Sequence, residues 1–374
     1  MFNNFSIYNL YYQWWKNIDK FIFSIIILLF LTGLFFSLVS TSLIVSDKLD
    51  TNDYSFFFKH LIFTILGIGF IFIFSLINQQ RLIKISLIIF VISIIFLSLV
   101  PIIGIEVKGS QRWIDLYFLP RFQPIELVKP FLIIFISIIL SSEKYSNIYF
   151  KYSLSFLITI AVVLLLALQP DIGQTLLVLF VWSVLIFISG INISLIIFFF
   201  SIFILFFSYL IFFVPKFIYI KNRLISFFDS AAGTYNAQSD KAIESIVSGG
   251  FFGKGIGEGT LKNRVPEAHT DYIISVISEE FGIIAIILIL FLFLVLIYSV
   301  FKKVNYENEE RTKLILVGCV SLILMQVMIH VGVNIRLFPT TGMTLPFISY
   351  GGSSIVSVSI ISGIILNLTK RKIN

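Results

Sequence analysis

The sequence predicts an all-α polytopic membrane protein of about ten transmembrane helices, with one large extracytoplasmic loop between the seventh and eighth. Three observations carry that prediction. Hydrophobic residues make up 58% of the 374-residue chain and charged residues only 13%, about half the charged share of a soluble domain. The apolar residues gather in runs near the roughly 20 residues that a helix needs to cross a hydrocarbon core about 30 Å thick. Lys and Arg, in a chain of net charge +7, fall mostly between these runs rather than on one face, which is how topology is set in a membrane and not how nucleic acid is bound.

In chain order the runs cover 21–42, 57–77, 82–105, 122–140, 154–168, 172–189, 193–214, 272–300, 314–333 and 343–368. The first is about twenty residues long and lacks a small-residue cleavage site, so it reads as an uncleaved anchor. Ahead of it, Tyr8, Tyr11, Tyr12, Trp14 and Trp15 read as an interfacial aromatic belt. The fifth and sixth runs are short because Gln169-Pro170-Asp171 must turn between them, and a proline after a polar residue ends a helix. With the N-terminus inside, the inner segments carry 13 Lys and Arg and the short outer ones 6. That bias places both termini in the cytoplasm and the 215–270 loop outside. The loop mixes Ile243, Ile246, Phe251 and Phe252 with many glycines, so it is ordered or functional rather than a spacer. The whole chain, 1–374, reads as one membrane domain without an internal repeat of the kind that builds transporters.

Several chemistries are excluded by pattern. Cys319 is the single cysteine and cannot form an internal disulfide. Only His60, His269 and His330 are present, with no cysteine cluster beside them, so metal-site spacing is absent. The 249–259 glycine run is not a phosphate-binding P-loop: Gly255 follows Lys254 where Ser or Thr is needed, and no strand precedes it. It reads instead as a turn-rich backbone passage over the membrane surface. The 43 Phe residues read as lipid-facing filler.

Four polar segments remain. The densest is Val265-Pro266-Glu267-Ala268-His269-Thr270-Asp271, at the start of the eighth run. A carboxylate there could act as a general base, since partial desolvation raises a carboxyl's pKa toward useful values. It could equally cap the helix, whose first turn stabilises the anion and weakens the base. Residue types alone leave that choice open. In Gln123-Pro124-Ile125-Glu126-Leu127-Val128-Lys129, Glu126 and Lys129 share one helix face, either as a neutralised pair or lining a polar path. Gly109-Ser110-Gln111-Arg112-Trp113-Ile114 offers a guanidinium suited to phosphate or to headgroup anchoring. Finally, the Pro, Gly and Ser residues of 338–354 interrupt the last run. Irregular backbone at membrane depth is tolerated only inside protein or a wet cavity, so this segment should line the bundle interior beside the loop.

Together these segments, with Gln169-Pro170-Asp171 and Glu279-Glu280, resemble the SEDS (shape, elongation, division and sporulation) family, which includes FtsW and RodA. The match runs from the first span to Arg371. Pro-Glu-Ala-His-Thr-Asp at 266–271 and Thr-Thr-Gly-Met-Thr-Leu-Pro-Phe-Ile-Ser-Tyr at 340–350 look more like the division member than the elongation member. The resemblance implies a peptidoglycan glycosyltransferase that polymerises lipid II at the outer face of the cytoplasmic membrane, with Asp271 as its catalytic carboxylate. It implies substrate-binding roles for Arg112, Gln123, Glu126, Lys129, Glu267, His269, Ser349, Gly351 and Ser353. A class B penicillin-binding protein transpeptidase and other division-complex membrane proteins are the implied partners. No cofactor is firmly implied, and a divalent cation, Mg or Mn, is an option at the leaving diphosphate. Lys262-Asn263-Arg264 depart from the family, many of whose division members carry an acidic residue there. A lipid II flippase and an elongation-type polymerase are the alternative readings.

Overall fold

A computed structural model describes residues 7–41, 54–107, 110–116, 120–145, 147–228, 237–259 and 267–370. Gly109, 262–266 and Arg371, named above, and Lys48, Lys108 and Lys372, which enter the charge counts, lie outside the described residues.

Helix α1 (Ile7–Asn17) leads into α2 (Lys20–Thr41), α3 (Ser55–Leu76) and α4 (Gln79–Ile103). A short hairpin follows, β1 (Ile105–Val107) antiparallel to β2 (Ser110–Trp113). Helices α5 (Pro124–Ser141), α6 (Ile148–Leu168), α7 (Ile172–Ile188) and α8 (Ile193–Phe213) complete the first seven crossings. The loop region holds α9 (Ile218–Phe228) and α10 (Ala237–Gly249), and the chain ends with α11 (Ile273–Tyr306), α12 (Glu310–Asn334) and α13 (Gly352–Leu368). Among the described residues eight helices are long and apolar enough to cross a membrane, and the shorter apolar α7 and α13 make ten. The ten expected runs and the ten helices correspond one to one.

The two ends of the bundle are identified by contacts. Asp19, just ahead of α2, pairs with Lys303 in the last turn of α11 at 2.7 Å. Asn367, in the last turn of α13, donates to the Phe74 and Ile77 carbonyls where α3 ends, at 2.7 and 2.6 Å. The 267–271 turn lies at the opposite end, beside the start of α3. Trp14 is not an interfacial anchor as expected. It is buried, donates its indole N–H to Ser75 at 2.8 Å and packs on Phe72, because α1 folds back onto the bundle. Trp15 remains half-buried with Lys20 over its ring.

Depth in the bundle varies with what each helix must hold. Helices α5, α12 and α13 are buried along most of their length, whereas α8 buries only Phe203 and Phe207. Phe199 and a few neighbours pack partly against the bundle, while Ile197, Phe198, Leu205, Phe212 and Phe213 among others face outward, as lipid-facing side chains do.

Two interruptions break the helical pattern. In α11, Gly282 has φ +76° and splits the helix within its first third. The glycine run packs into this break. Lys254 and Gly255 donate their backbone N–H groups to the Glu279 and Glu280 carbonyls at 2.9 and 3.1 Å, and the Ile283 N–H donates to the Gly250 carbonyl at 3.0 Å. The loop thus supplies the bonds that the broken helix lacks. Glycine is required because the chains nearly touch: a methyl on Gly253 would run into the Glu280 carbonyl, and one on Gly282 into that of Phe251. The second interruption is the 337–351 segment. Helix α13 begins only at Gly352, nine residues later than the apolar run suggested, because Pro339, Gly342 and Pro346 hold the preceding chain irregular.

Replacing Gly282 with Ala adds both strain at positive φ and a collision with backbone, so it should destabilise by at least about 2 kcal/mol. Thermal unfolding in detergent should show a Tm several degrees lower, whereas Gly69→Ala, with no atom within 4 Å of the added methyl, should leave the Tm unchanged.

Candidate active site

The conformation of 267–271 places the candidate carboxylate. Glu267 adopts φ +58° and its carbonyl accepts from the N–H groups of Thr270, Asp271 and Tyr272 at 3.1, 3.1 and 3.3 Å. This tight turn sets Asp271 two residues ahead of α11, half-buried. Three contacts fasten it. The Asn334 amide donates to the Asp271 carbonyl at 3.0 Å and to the His330 carbonyl at 2.9 Å, tying the turn to the end of α12. Ser349 donates to the Thr270 carbonyl at 2.7 Å, and the Tyr350 N–H to the His269 carbonyl at 3.1 Å. The 267–271 turn and the 337–351 segment are therefore one unit, as the sequence led us to expect.

Facing this unit is Arg112, from β2. Its guanidinium donates to the Pro170 carbonyl at 3.0 Å and the Thr341 carbonyl at 3.4 Å, and its Nε stands 3.4 Å from the Asp171 carboxylate. Gly342 separates Arg112 from Asp271: a Cβ there would lie 3.6 Å from Arg112 Nη1 and 3.7 Å from Asp271 Oδ2. Guanidinium and candidate base are thus neighbours across a bare Cα whose φ of +71° favours glycine. An apolar cavity of about 80 Å³ opens beside Arg112, walled by Gly173, Leu176, Ile220, Leu224, Met325 and Pro339 among others.

Asp171 is the hub behind Arg112. It caps α7, accepting from the Gln174 N–H at 3.3 Å, and takes the Gln123 side-chain amide at 3.2 Å. Gln123 in turn donates its backbone N–H to Ser353 at 3.0 Å. Farther in, Lys129 and Glu126 are both buried, 2.8 Å apart, and the Gln174 amide donates to Glu126 at 2.9 Å. The two are closed on each other, and Lys129 also lines a small cavity of about 10 Å³ with Leu132, Val178 and Trp182 among others. Ser349 is likewise buried and bonded to backbone on both sides, accepting from Leu345 and donating to Thr270. Gly351 precedes α13 beside Thr344. Glu267 takes the Thr270 hydroxyl at 3.0 Å, and the half-buried His269 ring lies against Phe56 with centroids 4.7 Å apart.

Of the sequence-predicted residues, Asp271, His269, Glu267 and Arg112 are brought together at the loop end of the bundle. Gln123 and Ser353 support them, while Glu126, Lys129 and Ser349 lie behind. Sequence reasoning missed Asn334, Phe56, Tyr350 and the central role of Asp171. Only Asp171 carried a local signal, as a capping residue just before an apolar run. Among the described residues no three His, Cys, Asp or Glu side chains gather as a metal site.

The profile of the FtsW, RodA and SpoVE family, described as cell cycle proteins, matches residues 19–374. A probable peptidoglycan glycosyltransferase FtsW of Caulobacter vibrioides is 30% identical over 361 residues, covering 96% of this chain and 91% of that protein. One of Enterococcus hirae is 31% identical over 383 residues, covering 96% and 94%. Among solved structures, a chain of a peptidoglycan synthase complex that coordinates polymerization and crosslinking superposes with a TM-score of 0.76 at 25% identity, covering 94% of this chain and 97% of that one. The rod shape determining protein RodA of Thermus thermophilus superposes with a TM-score of 0.68 at 25% identity, covering 95% and 97%.

Breaking the buried Glu126–Lys129 pair from one side leaves a bare charge, which should cost about 3–5 kcal/mol. Lys129→Met should therefore lower the Tm sharply, and adding Glu126→Gln should restore much of the loss, a coupling read directly from the double-mutant cycle.

Proposed function

For a chain that belongs to the FtsW, RodA and SpoVE family of cell cycle proteins, we propose the function of a peptidoglycan glycosyltransferase that polymerises lipid II, working in septal synthesis during division. The observation that carries this reading is the Asp271 carboxylate, held half-buried at the loop end of a membrane bundle with Arg112 beside it. Full-length similarity to relatives named as probable peptidoglycan glycosyltransferases supports it. The excess of Lys and Arg in the segments at the opposite end supports cytoplasmic termini and an outward-facing site on the cytoplasmic membrane.

In the reaction, Asp271 accepts the proton of the acceptor sugar's 4-hydroxyl. That oxygen attacks the anomeric carbon of the donor sugar as the bond to the lipid diphosphate breaks, and the diphosphate leaves with the electron pair. Attack opposite the leaving group inverts an α-linked donor into a β-1,4 glycan. A single base suffices, because diphosphate is a stable leaving group once its charge is met. Arg112, beside Asp271 across Gly342, can do this, and the apolar cavity next to it suits the first carbons of a lipid chain. With no three-residue metal group among the described residues, Mg or Mn would be held mainly by substrate oxygens and water, and no step is assigned to it. A class B penicillin-binding protein is the proposed partner, supported by the similarity to a chain from a complex that couples polymerization to crosslinking. Further division-complex membrane proteins would assemble with the pair.

Asp271→Asn keeps the shape and removes the base. Assayed with its cognate transpeptidase, it should lose glycan-strand synthesis from lipid II by about 10²–10⁴-fold. Polymerisation at the wild-type rate would rule Asp271 out as the base.

A further inference from the structure

Large apolar side chains left in water are costly, and where several gather on a surface they mark a contact with something else. The glycine run carries such a group. Phe251 is 72% exposed and Phe252 83%, with Val247 before them and Ile256 after them also exposed. Their backbone is bonded into the α11 break, so these side chains do not hang from a loose tip.

Three observations say what covers them. The first is continuity. Beyond the break α11 turns Ile284, Ile287, Leu288, Phe291 and Leu294 outward, one helix face at spacings of three and four. Carried toward the start of α11, that face reaches Glu280 and Ile277, which are both buried. There the glycine run lies against the helix, with the Gly255 N–H on the Glu280 carbonyl, and it is Phe251 and Phe252 that are exposed instead. The outward apolar stripe passes from helix to loop.

The second is depth. Lys302 and Lys303 end the stripe, and Lys303 pairs with Asp19 at the end of the bundle opposite the loop. From Lys303 to Gly282 the helix rises about 30 Å at 1.5 Å per residue, which is the thickness of a hydrocarbon core. No charged residue lies between Gly282 and Phe301. The Phe251 carbonyl lies against Gly282, so Phe251 is level with the far boundary of that core.

The third is order along the chain. The exposed residues of α10 run Asp240, Lys241, Glu244, Val247, charged first and apolar last. Phe251, Phe252 and Ile256 follow, and then Glu258 is exposed. A surface that goes from charged to apolar to charged in one pass fits a segment that dips from water into lipid and returns. Lys254 is the one charge inside the dip, and it reaches back to the buried Glu279 carboxylate at 3.4 Å.

We infer that residues 247–256 form a membrane-inserted wedge, with Phe251 and Phe252 seated among acyl chains at the boundary of the leaflet on the loop side. The wedge is independent of the glycosyl-transfer reading, since it shares no residue with the candidate site. Its consequence is mechanical. The part of α11 ahead of Gly282, which follows Asp271, is bonded to a loop that lipid holds at one depth.

Cys319 is the single cysteine and is fully buried, so a Cys319→Ala background lets one nitroxide label be placed at a chosen position. The full chain is reconstituted in liposomes of phosphatidylethanolamine and phosphatidylglycerol. Collisions of the label with oxygen, which concentrates in hydrocarbon, are compared with those of a water-soluble nickel chelate. For Phe252→Cys, oxygen access should match that of Ile287→Cys within about twofold, and nickel access should lie at least about threefold below that of Glu244→Cys. Adding the cognate transpeptidase should change neither. Nickel access equal to that of Glu244→Cys overturns the wedge, because the patch then lies in water. Loss of oxygen access on adding the transpeptidase, or on raising the protein-to-lipid ratio, overturns it in favour of a partner helix or a second copy. Phe251→Cys gives the same reading if Phe252→Cys fails to fold.

Discussion

A backbone N–H or C=O inside a bilayer has no water to bond to, and each one left bare costs several kcal/mol. Nearly all of this chain meets that demand by being helical. Two of the places where it is not helical, among the described residues, need other side chains or other backbone to close the account. At the Gly282 break, the glycine run supplies bonds to the interrupted helix. Along 337–351, buried side chains do so: the His330 ring bonds the Met343 carbonyl at 2.8 Å, the Gln326 amide the Thr344 carbonyl at 3.0 Å, and Ser349 the Leu345 N–H at 2.9 Å.

Both interruptions serve the same end of the molecule. Helix α11 carries Asp271 just ahead of its first turn, and the 337–351 segment holds the turn in place through Ser349, Tyr350 and the neighbouring Asn334. Arg112, held against Asp171, closes the other side with bonds to the Pro170 and Thr341 carbonyls. The carboxylate is thus positioned by irregular chain that is fastened to its neighbours by hydrogen bonds. Such chain can be shaped for a substrate in a way that a regular helix cannot, while remaining rigid enough to orient a base.

How much of this could be read beforehand depended on the range of the interaction. The ten crossings were visible because apolar length is a local property. The Glu126–Lys129 pair was visible because a spacing of three puts two residues on one helix face. Trp14 was misjudged because aromatic residues near a membrane surface look alike whether they face lipid or fold inward onto Ser75. The glycine run's partners, the carbonyls of Glu279 and Glu280, lie about 25 residues away, so its own residues do not show where it packs. Nothing local announces that a later helix will break at Gly282. Asn334 was hidden inside an apolar run, and Phe56 and Tyr350 sit on elements that meet only in three dimensions. For Asp271, residue types left cap and base equally open, and family resemblance rather than local physics favoured the base.

Helix α8, with only Phe203 and Phe207 buried, has a different bearing on the protein. A side chain facing hydrocarbon is selected for being apolar and for little else, so Phe, Ile and Leu are nearly interchangeable there. Genome composition can then decide which of them appears. Some of the 43 Phe residues sit in the core, such as Phe131 and Phe293, and others on lipid-facing positions such as Phe198 and Phe213. Sequence identity averaged over the whole length therefore counts two kinds of position alike, those that shape the site and those that need only be apolar.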